Sequence, residues 1–281
     1  MLRHTFIHLP QIGPVTERAI WDAGVTTWEQ FLSARSLPAR AQRRRADLQS
    51  RILESKAHLE QADARFFKSA LPGREMWRLY ADFRGRAAFL DIETTGLSPQ
   101  YAYITMVGIL DSQGYTAYVY DENLEDLREA LERYDLIVTF NGASFDLPFI
   151  EYQFGRVFRH HAHIDLMHLL RRIGYRGGLK FIETRLGAGR PSDLDGLTGF
   201  DAVLLWRMWR RGDAGARDTL IRYNAEDVAS LPVLAEIVYN RLTSELSVPC
   251  RPLSPSPRQI IDLPYEIDAV TRLKHLKMMS R

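Results

Sequence analysis

The sequence predicts an α/β fold: a mixed β-sheet flanked by helices, with a small helical region before it. Residues 87–140 contain four short apolar runs, separated by turn-forming residues and by one helical pattern. Residues 144–242 contain only the three- and four-residue spacing of helices and the loops between them. These two observations place the sheet first and most of the helices after it.

The four apolar runs are the predicted strands, and they cover residues 87–92, 103–110, 115–120 and 136–140. Asp111 to Gly114 has turn composition, which favours a hairpin between the second and third strands. Residues 122–134 place several apolar side chains on one helical face. A helix there makes a crossover to the fourth strand, so we expect parallel as well as antiparallel pairs in the sheet.

The chain divides into three predicted parts, residues 1–74, 86–242 and 243–281. The first part is helical, with a long helix over about 38–69, and it ends at a Pro-Gly break. In the second part, helices are predicted after the sheet at about 145–155, 165–173, 179–187, 200–211 and 215–242. The third part is rich in proline, so it is predicted to be extended or disordered, with a short helix at 265–279.

The composition is that of a soluble globular protein, with 46% hydrophobic and 26% charged residues. No run of 18 apolar residues is present and the N-terminus lacks the apolar core of a signal peptide, so no membrane partner is expected. The single cysteine, Cys250, excludes an intrachain disulfide and fits a cytoplasmic protein. Residues 1–86 carry 15 Lys and Arg against 9 Asp and Glu, which suits nucleic acid but also an ordinary solvated surface. The sequence indicates no protein partner.

The first candidate site residues lie at the end of the first predicted strand. Residues two apart in a strand point to the same face, so Asp91 and Glu93 project together. Two adjacent carboxylates repel each other unless cations lie between them, and oxygen-only ligands suit Mg²⁺ or Mn²⁺. The alternative is a polar strand end followed by a turn.

Asp146 follows the fourth predicted strand and lies in the first turn of a predicted helix. There it can stabilise the helix dipole, which is a purely structural role. If the fourth strand neighbours the first, however, Asp146 is a third carboxylate at the same edge of the sheet.

Tyr223 and Asp227 are four residues apart on a predicted helix, so they share one face. A tyrosine one turn from an aspartate can orient a water molecule between them. The alternative is a core tyrosine with the aspartate at its rim.

In this order, the three elements resemble the three Exo motifs of the DEDD exonuclease superfamily. The spacing from Tyr223 to Asp227 resembles the DEDDy branch, because the other branch has a histidine at the position of Arg222. Within the superfamily, residues 87–242 are similar to the RNase-H-like domain of YprB-like predicted exonucleases. The matching stretches are residues 90–96, 140–142, 164–166, 178–180 and 223–227.

The resemblance implies a 3′–5′ exonuclease that hydrolyses DNA or RNA at single strands or frayed ends with two divalent cations, Mg²⁺ or Mn²⁺. It implies that Asp91 bridges both cations, while Glu93 and Asp227 complete the site that activates water. Asp146 would serve the second cation, and Tyr223 would position the attacking water.

Several residues are candidates for contacts with nucleic acid. Four of them are basic residues around a glycine-rich loop, which could hold the substrate backbone. An ordinary solvated helix end is an equal alternative for these four. Two more candidates lie in the matching stretches. They are Arg171, Arg172, Arg176 and Lys180, together with Thr94 and Asn141.

Residues 9–24 resemble a helix-hairpin-helix unit, in which the backbone near Gly13 would bind phosphate. The family has glycine where this chain has Gln11, and glutamine adopts positive φ only at a cost. A purely structural pair of helices is the alternative.

Two other functions fit parts of the sequence. One is a non-catalytic nucleic-acid-binding module in a degenerate RNase-H-like fold, which the complete set of four carboxylates disfavours. The other is an RNase-H-type endonuclease, which the Tyr-x-x-x-Asp helix disfavours.

Overall fold

A computed structural model describes residues 1–189, 197–254, 256–261 and 263. Its strands are β1 (Ala87–Thr94), β2 (Ile104–Asp111), β3 (Gly114–Val119), β4 (Leu136–Thr139) and β5 (Ala162–Asp165). Its helices before the sheet are α1 (Pro14–Asp22), α2 (Trp28–Ser33), α3 (Ala39–Gln42), α4 (Arg45–Glu60), α5 (Ala64–Ala70) and α6 (Tyr80–Phe83). The remaining helices are α7 (Leu127–Leu131), α8 (Asp146–Phe154), α9 (Leu166–Arg172), α10 (Leu179–Leu186), α11 (Gly199–Trp209), α12 (Ala214–Ala229) and α13 (Leu231–Ser244).

The five strands form one mixed sheet in the order β3-β2-β1-β4-β5. The β1–β2 and β2–β3 pairs are antiparallel, whereas the β1–β4 and β4–β5 pairs are parallel. The predicted mixed sheet flanked by helices is therefore confirmed. Because β1, β4 and β5 run in the same direction, their carboxyl ends meet at one edge of the sheet, where parallel strands commonly bind ligands.

The fifth strand was not predicted, because the sequence after residue 144 was interpreted as helix and loop only. β5 has four residues, and its register pairs Thr139 of β4 with Asp165. A run this short, interrupted by His163, has no alternation that separates it from a loop. This segment forms a strand because it pairs with β4, not because its own sequence has a strand pattern.

Three predicted helices also differ from the structure. The helix predicted over 38–69 is three helices, and between the last two Ala62 has φ 53° and Asp63 caps α5. The helix predicted over 122–134 is a 3₁₀ turn followed by α7. The helix predicted over 215–242 breaks at Ser230, because Pro232 lacks the N–H that a continuous helix requires.

The N-terminal helices share a hydrophobic core with the sheet and the last helix. This core includes Trp28 and Phe67 from the first helices, Phe89 from β1 and Tyr239 from α13. Burial of this contiguous apolar surface holds residues 1–86 against the sheet-bearing part of the chain.

A buried ion-pair network lies within residues 1–86. Arg78 donates two hydrogen bonds to Glu17 of α1, at 2.8 and 2.9 Å, and a third to Glu75 at 2.9 Å. Glu17 also accepts the backbone N–H groups of Phe6 and Ile7. Loss of either partner would leave a buried charge uncompensated, which is strongly destabilising.

The turn before α1 combines features for and against a phosphate-binding hairpin. Gln11 has φ 62°, so this glutamine does adopt the left-handed conformation for which the family uses glycine. Gly13 precedes α1 as its N-cap. The segment before the turn, however, is only a 3₁₀ turn at Leu2–His4 rather than an α-helix. Phosphate binding at Gly13 therefore stays a prediction.

The predicted tail begins two residues before the end of α13, and the described residues after α13 have no regular secondary structure and pack against α12 and α13. Asn240 exchanges hydrogen bonds with the backbone of Leu253 at 2.7 and 2.9 Å. Glu236 accepts a hydrogen bond from the backbone of Ser256 at 2.6 Å. The helix predicted at 265–279 lies outside the described residues. Among the residues that the structure describes, no helix is long and apolar enough to cross a membrane.

Candidate active site

The site begins at the carboxyl end of β1, in the middle of the sheet. Asp91 and Glu93 alternate with Ile92 and so point to the same face, with Asp91 half-buried and Glu93 buried. The pairing of β1 with β2 shifts register between Glu93 and Thr94. The unpaired residue, Thr105, lies in β2, so the ladder is interrupted next to the two carboxylates.

Asp227 reaches the same point from α12, which packs across β1 and β2. One carboxylate oxygen from each of Asp91, Glu93 and Asp227 lies within 4.8 Å of the other two. The strand and the helix thus bring three carboxylates together, although Asp91 and Asp227 are 136 residues apart in the sequence.

Asp146 is the fourth carboxylate of the site. It is the first residue of α8, which follows β4, and its Oδ1 accepts the backbone N–H of Ile92 at 3.1 Å. This hydrogen bond fixes Asp146 between Asp91 and Glu93 along β1. A cavity of about 570 Å³ is lined by all four carboxylates and by Tyr223.

Asp165, at the end of β5, holds the loop that leads to Asp146. Its carboxylate accepts backbone N–H groups from Asn141 at 2.9 Å and Ala143 at 3.1 Å. It also caps α9 by accepting the N–H of Met167. The contacts with the loop were not predicted from the sequence, because they depend on the β4–β5 pairing.

The charges of the site favour bound cations. Burial, and then repulsion by Asp227, raise the pKa of Glu93 well above its ordinary value. Burial raises the pKa of Asp146 to about 7. Four carboxylates this close resist full ionisation near neutral pH unless positive charge is added. A set of oxygen donors alone fits Mg²⁺ or Mn²⁺, so the residues suit the cations that the sequence predicts.

Asn224 positions Asp91 through contacts that sequence reasoning missed. Its Nδ2 donates to Asp91 Oδ2 at 2.9 Å, and its Oδ1 accepts from the hydroxyl of Tyr115 at 3.0 Å. Burial raises the pKa of Tyr115 well above its usual value, so this hydroxyl stays protonated as a donor. Gly108, which pairs with Asp91 across β1 and β2, leaves the space that the Asn224 side chain fills.

Substitution of Gly108 by alanine tests this arrangement. The added Cβ would lie 1.7 Å from Asn224 Oδ1, so Asn224 must move away from Asp91. We expect the free energy of unfolding of the variant to be about 1–3 kcal/mol lower than that of the wild type. We also expect the variant to bind Mn²⁺ more weakly. Thermal melting and calorimetric Mn²⁺ titration measure the two effects. Gly85→Ala is the control, because its Cβ would meet nothing within 4 Å. Unchanged Mn²⁺ affinity in Gly108→Ala would contradict the positioning role.

Tyr223 lies on the same helix as Asn224 and Asp227, and it is buried at the cavity wall. Its hydroxyl accepts a hydrogen bond from Lys180 Nζ at 3.0 Å. Lys180, predicted to contact nucleic acid, therefore lies against Tyr223. Its charge also lowers the pKa of Glu93, against the larger effects that raise it.

The other predicted nucleic-acid contacts lie in several places. Thr94 and Asn141 line the cavity, whereas Arg171, Arg172 and Arg176 do not. Arg172 instead forms an ion pair, at 3.3 Å, with Glu75, which belongs to the N-terminal part of the chain.

The histidines at 160–168 make local contacts. His161 Nε2 is 2.9 Å from the carbonyl of Leu131, and His163 Nε2 is 2.9 Å from Thr139 Oγ1. Among the described residues, the one cluster of His, Cys, Asp or Glu with metal-site spacing is that of Asp91, Glu93 and Asp227.

Comparison with known families identifies the sheet-bearing part of the chain. Residues 88–239 match the family model RNase_H_2 of the RNase H superfamily, and the chain belongs to that superfamily. The match spans β1 to α13 and includes all four carboxylates and Tyr223. A comparison with curated protein sequences gives no match.

Several solved structures are similar to parts of this chain at low sequence identity. A family B DNA polymerase from Pyrobaculum calidifontis is 18% identical over 55% of this chain, with a TM-score of 0.45. The match spans a quarter, 25%, of the polymerase. Brucella melitensis NrnC with bound Mg²⁺ is 20% identical over 59% of this chain and 78% of its own, with a TM-score of 0.40. The EXO domain of Aedes aegypti Nibbler is 12% identical over 62% of this chain and 87% of its own, with a TM-score of 0.35.

Proposed function

We propose that the protein is a metal-dependent nuclease, and specifically a 3′–5′ exonuclease of the DEDDy type. The observation that carries the proposal is the convergence of Asp91, Glu93, Asp146 and Asp227 with Tyr223 in one cavity at the carboxyl ends of β1 and β4. A structural core has no reason to collect four carboxylates, since burying unpaired charges is costly. Cation binding removes that cost.

Asp91, Glu93 and Asp227 would hold one divalent cation, and Asp146 with Asp91 would hold a second. When bound, Mg²⁺ or Mn²⁺ supplies charge neutralisation at the phosphate and an acidified water. Asn224 and Asp165 would keep the carboxylates and their loop in place for this chemistry, through the hydrogen bonds described above.

Tyr223 would hold the attacking water against the scissile phosphate. Its hydroxyl accepts a hydrogen bond from Lys180, and the tyrosine lines the cavity beside the carboxylates. A positioned donor of this kind stabilises charge that develops in the transition state.

The cavity favours a strand end as substrate. Its volume of about 570 Å³ is within the range of pockets for small ligands, and so it suits one or two nucleotides rather than a duplex. Single strands or frayed ends of DNA or RNA would enter it, and the carboxylates would lie next to the terminal phosphodiester.

The test is incubation of the protein with DNA and RNA strands labelled at the 3′ or the 5′ end, with Mn²⁺, Mg²⁺ or EDTA. A 3′–5′ exonuclease releases the 3′ label as a mononucleotide and shortens 5′-labelled strands stepwise, and EDTA abolishes both. Internal cleavage of RNA in a DNA hybrid would instead identify an RNase-H-type endonuclease. Binding without cleavage under every metal condition would identify a non-catalytic module.

Metal binding has a second readout, which is independent of turnover. The folded-state pKa of Asp146 is raised to about 7 by burial, so the protonated carboxyl stabilises the metal-free protein at low pH, and this contribution is lost as pH rises toward 7. We expect the melting temperature of EDTA-treated protein to fall between about pH 5 and pH 8, and Mn²⁺ to raise it more at the higher pH.

Asp146→Asn is the control for this measurement, because an amide does not titrate in that range. Its metal-free melting temperature should change less with pH than that of the wild type. Equal Mn²⁺ stabilisation at both pH values would count against carboxylate ligands of raised pKa.

A further inference from the structure

A second cavity, of about 320 Å³, opens next to the carboxylates on the side of α11. It shares the lining residues Thr95 and Arg207 with the acidic cavity, so the two cavities are adjacent. Its lining residues are Thr95, Tyr103, Trp206, Arg207, Arg210 and Arg211. The first cavity is therefore acidic and the second is strongly basic, and we refer to the second cavity as the arginine groove.

Two of the arginines are available to a ligand. Arg207 and Arg211 are exposed, and among the described residues neither has a carboxylate within ion-pair distance. Arg210, in contrast, pairs with Asp121 at 2.7 Å and lies over the ring of Trp206. Arg207 and Arg211 are four residues apart across the end of α11, so their guanidinium groups can lie about one helical turn apart.

The helix that carries the groove is firmly anchored. Trp206 is buried and donates from its indole nitrogen to the hydroxyl of Tyr103 at 3.0 Å. Thr198 and Asp201 form a capping box at the start of α11. Arg207 on this anchored helix, with Arg211 two residues after its end, loses less freedom on binding than a cation on a mobile loop, which improves phosphate binding.

We propose that the arginine groove binds the phosphates of the substrate strand on the 5′ side of the scissile bond. The inference rests on the proposed function, because a strand whose 3′ end lies among the carboxylates must continue out of the cavity. The groove adjoins the cavity and has the charge that complements phosphate. Arginine contacts of this kind release counterions from the strand, and they do not depend on the base sequence.

The proposal distinguishes the groove from the contacts predicted around Arg171, Arg172 and Arg176. Those residues do not line either cavity. Arg207, in contrast, lies on the wall that both cavities share.

The test compares a long and a minimal substrate for wild type and for Arg207→Ala/Arg211→Ala. The long substrate is a thymidine decanucleotide, and the minimal one is the p-nitrophenyl ester of thymidine 5′-monophosphate, which is too short to occupy the groove. We expect the double variant to bind the decanucleotide roughly 2- to 30-fold more weakly in EDTA. The slope of log K against log salt should fall in magnitude by about two units.

Kinetics give a second reading of the same proposal. For the double variant, kcat/KM should fall more for the decanucleotide than for the ester, mainly through KM. Arg207→Lys/Arg211→Lys should recover most of the binding, since lysine keeps the charge. Arg241→Ala is the control, because Arg241 is an exposed arginine on α13 outside both cavities and should leave all values unchanged.

The outcomes separate the two proposals. Equal decanucleotide affinity and salt slope in wild type and double variant would overturn the role of the groove, while active wild type leaves the nuclease intact. A wild type that hydrolyses neither substrate overturns the nuclease itself, and binding in EDTA then still reports on the groove.

Discussion

Replacement of Asp91 or Asp227 by asparagine is expected to lower the rate of phosphodiester hydrolysis by at least about 100- to 1,000-fold. Each change removes one charge from the cluster in which three carboxylate oxygens lie within 4.8 Å of one another. Asparagine keeps the size of the side chain, so the packing of β1 and α12 should persist. The loss therefore reports weakened cation binding rather than unfolding.

The melting temperature separates these two causes. In the metal-free protein, removal of one carboxylate relieves repulsion, so Asp91→Asn and Asp227→Asn should melt no lower than the wild type. Added Mn²⁺ should then stabilise the variants less than the wild type. Both effects can be followed by scanning calorimetry beside the hydrolysis assay.

Asp218→Asn is the matched control, because Asp218 lies on the same helix as Asp227 but pairs with Arg217 at the surface. It should keep full activity and Mn²⁺ stabilisation. Wild-type turnover by purified Asp91→Asn and Asp227→Asn would remove the carboxylate cluster from the mechanism.

The part of the site that could be predicted is the part with a local pattern. Asp91 and Glu93 follow from the two-residue period of a strand, and Tyr223 and Asp227 follow from the four-residue spacing of a helix. Both patterns involve residues that are close together in the sequence. The order of the motifs then predicted an RNase-H-like domain, and the family match over residues 88–239 confirms that the chain belongs to the RNase H superfamily.

The supporting residues could not be predicted in this way, because each depends on a partner distant in sequence. Asn224 matters through Asp91 on β1 and Tyr115 on β3, and Gly108 matters only because it faces Asn224. Asp165 looks like an ordinary helix cap until β5 pairs with β4 and brings it to the loop before Asp146. None of these contacts leaves a periodic signal.

The arginine groove was missed for a related reason. The sequence drew attention to the basic residues near glycines at 171–180, where a flexible loop was expected beside the site. Arg207 lies on α11 and Arg211 just after its end, and only the fold shows that they line a cavity beside the acidic one. The sequence shows which residues are basic, but only the folded structure shows which of them lie beside the active site.

The sequence left two roles open for Tyr223, that of orienting a water molecule and that of a core residue. The structure adds a contact between Tyr223 and Lys180. The tyrosine is only 4% exposed, as a core residue would be, yet it also lines the cavity with the carboxylates. Its hydroxyl is held at 3.0 Å by Lys180 Nζ. The lysine orients the hydroxyl, so that the proton of the tyrosine points away from it.

Removal of this hydroxyl in Tyr223→Phe is therefore expected to lower kcat by roughly 10- to 1,000-fold, the scale of one positioned catalytic hydrogen bond. KM and Mn²⁺ affinity should change little, because the four carboxylates remain and the lost contact acts mainly in the transition state. The melting temperature should stay close to that of the wild type, since phenylalanine keeps the packing of the ring. Lys180→Met is the companion variant: if the lysine acts by orienting the hydroxyl, combining it with Tyr223→Phe should lower kcat little further than Tyr223→Phe alone. A kcat for Tyr223→Phe within twofold of the wild type would instead show that this tyrosine only packs, and that the chemistry rests on the carboxylates alone.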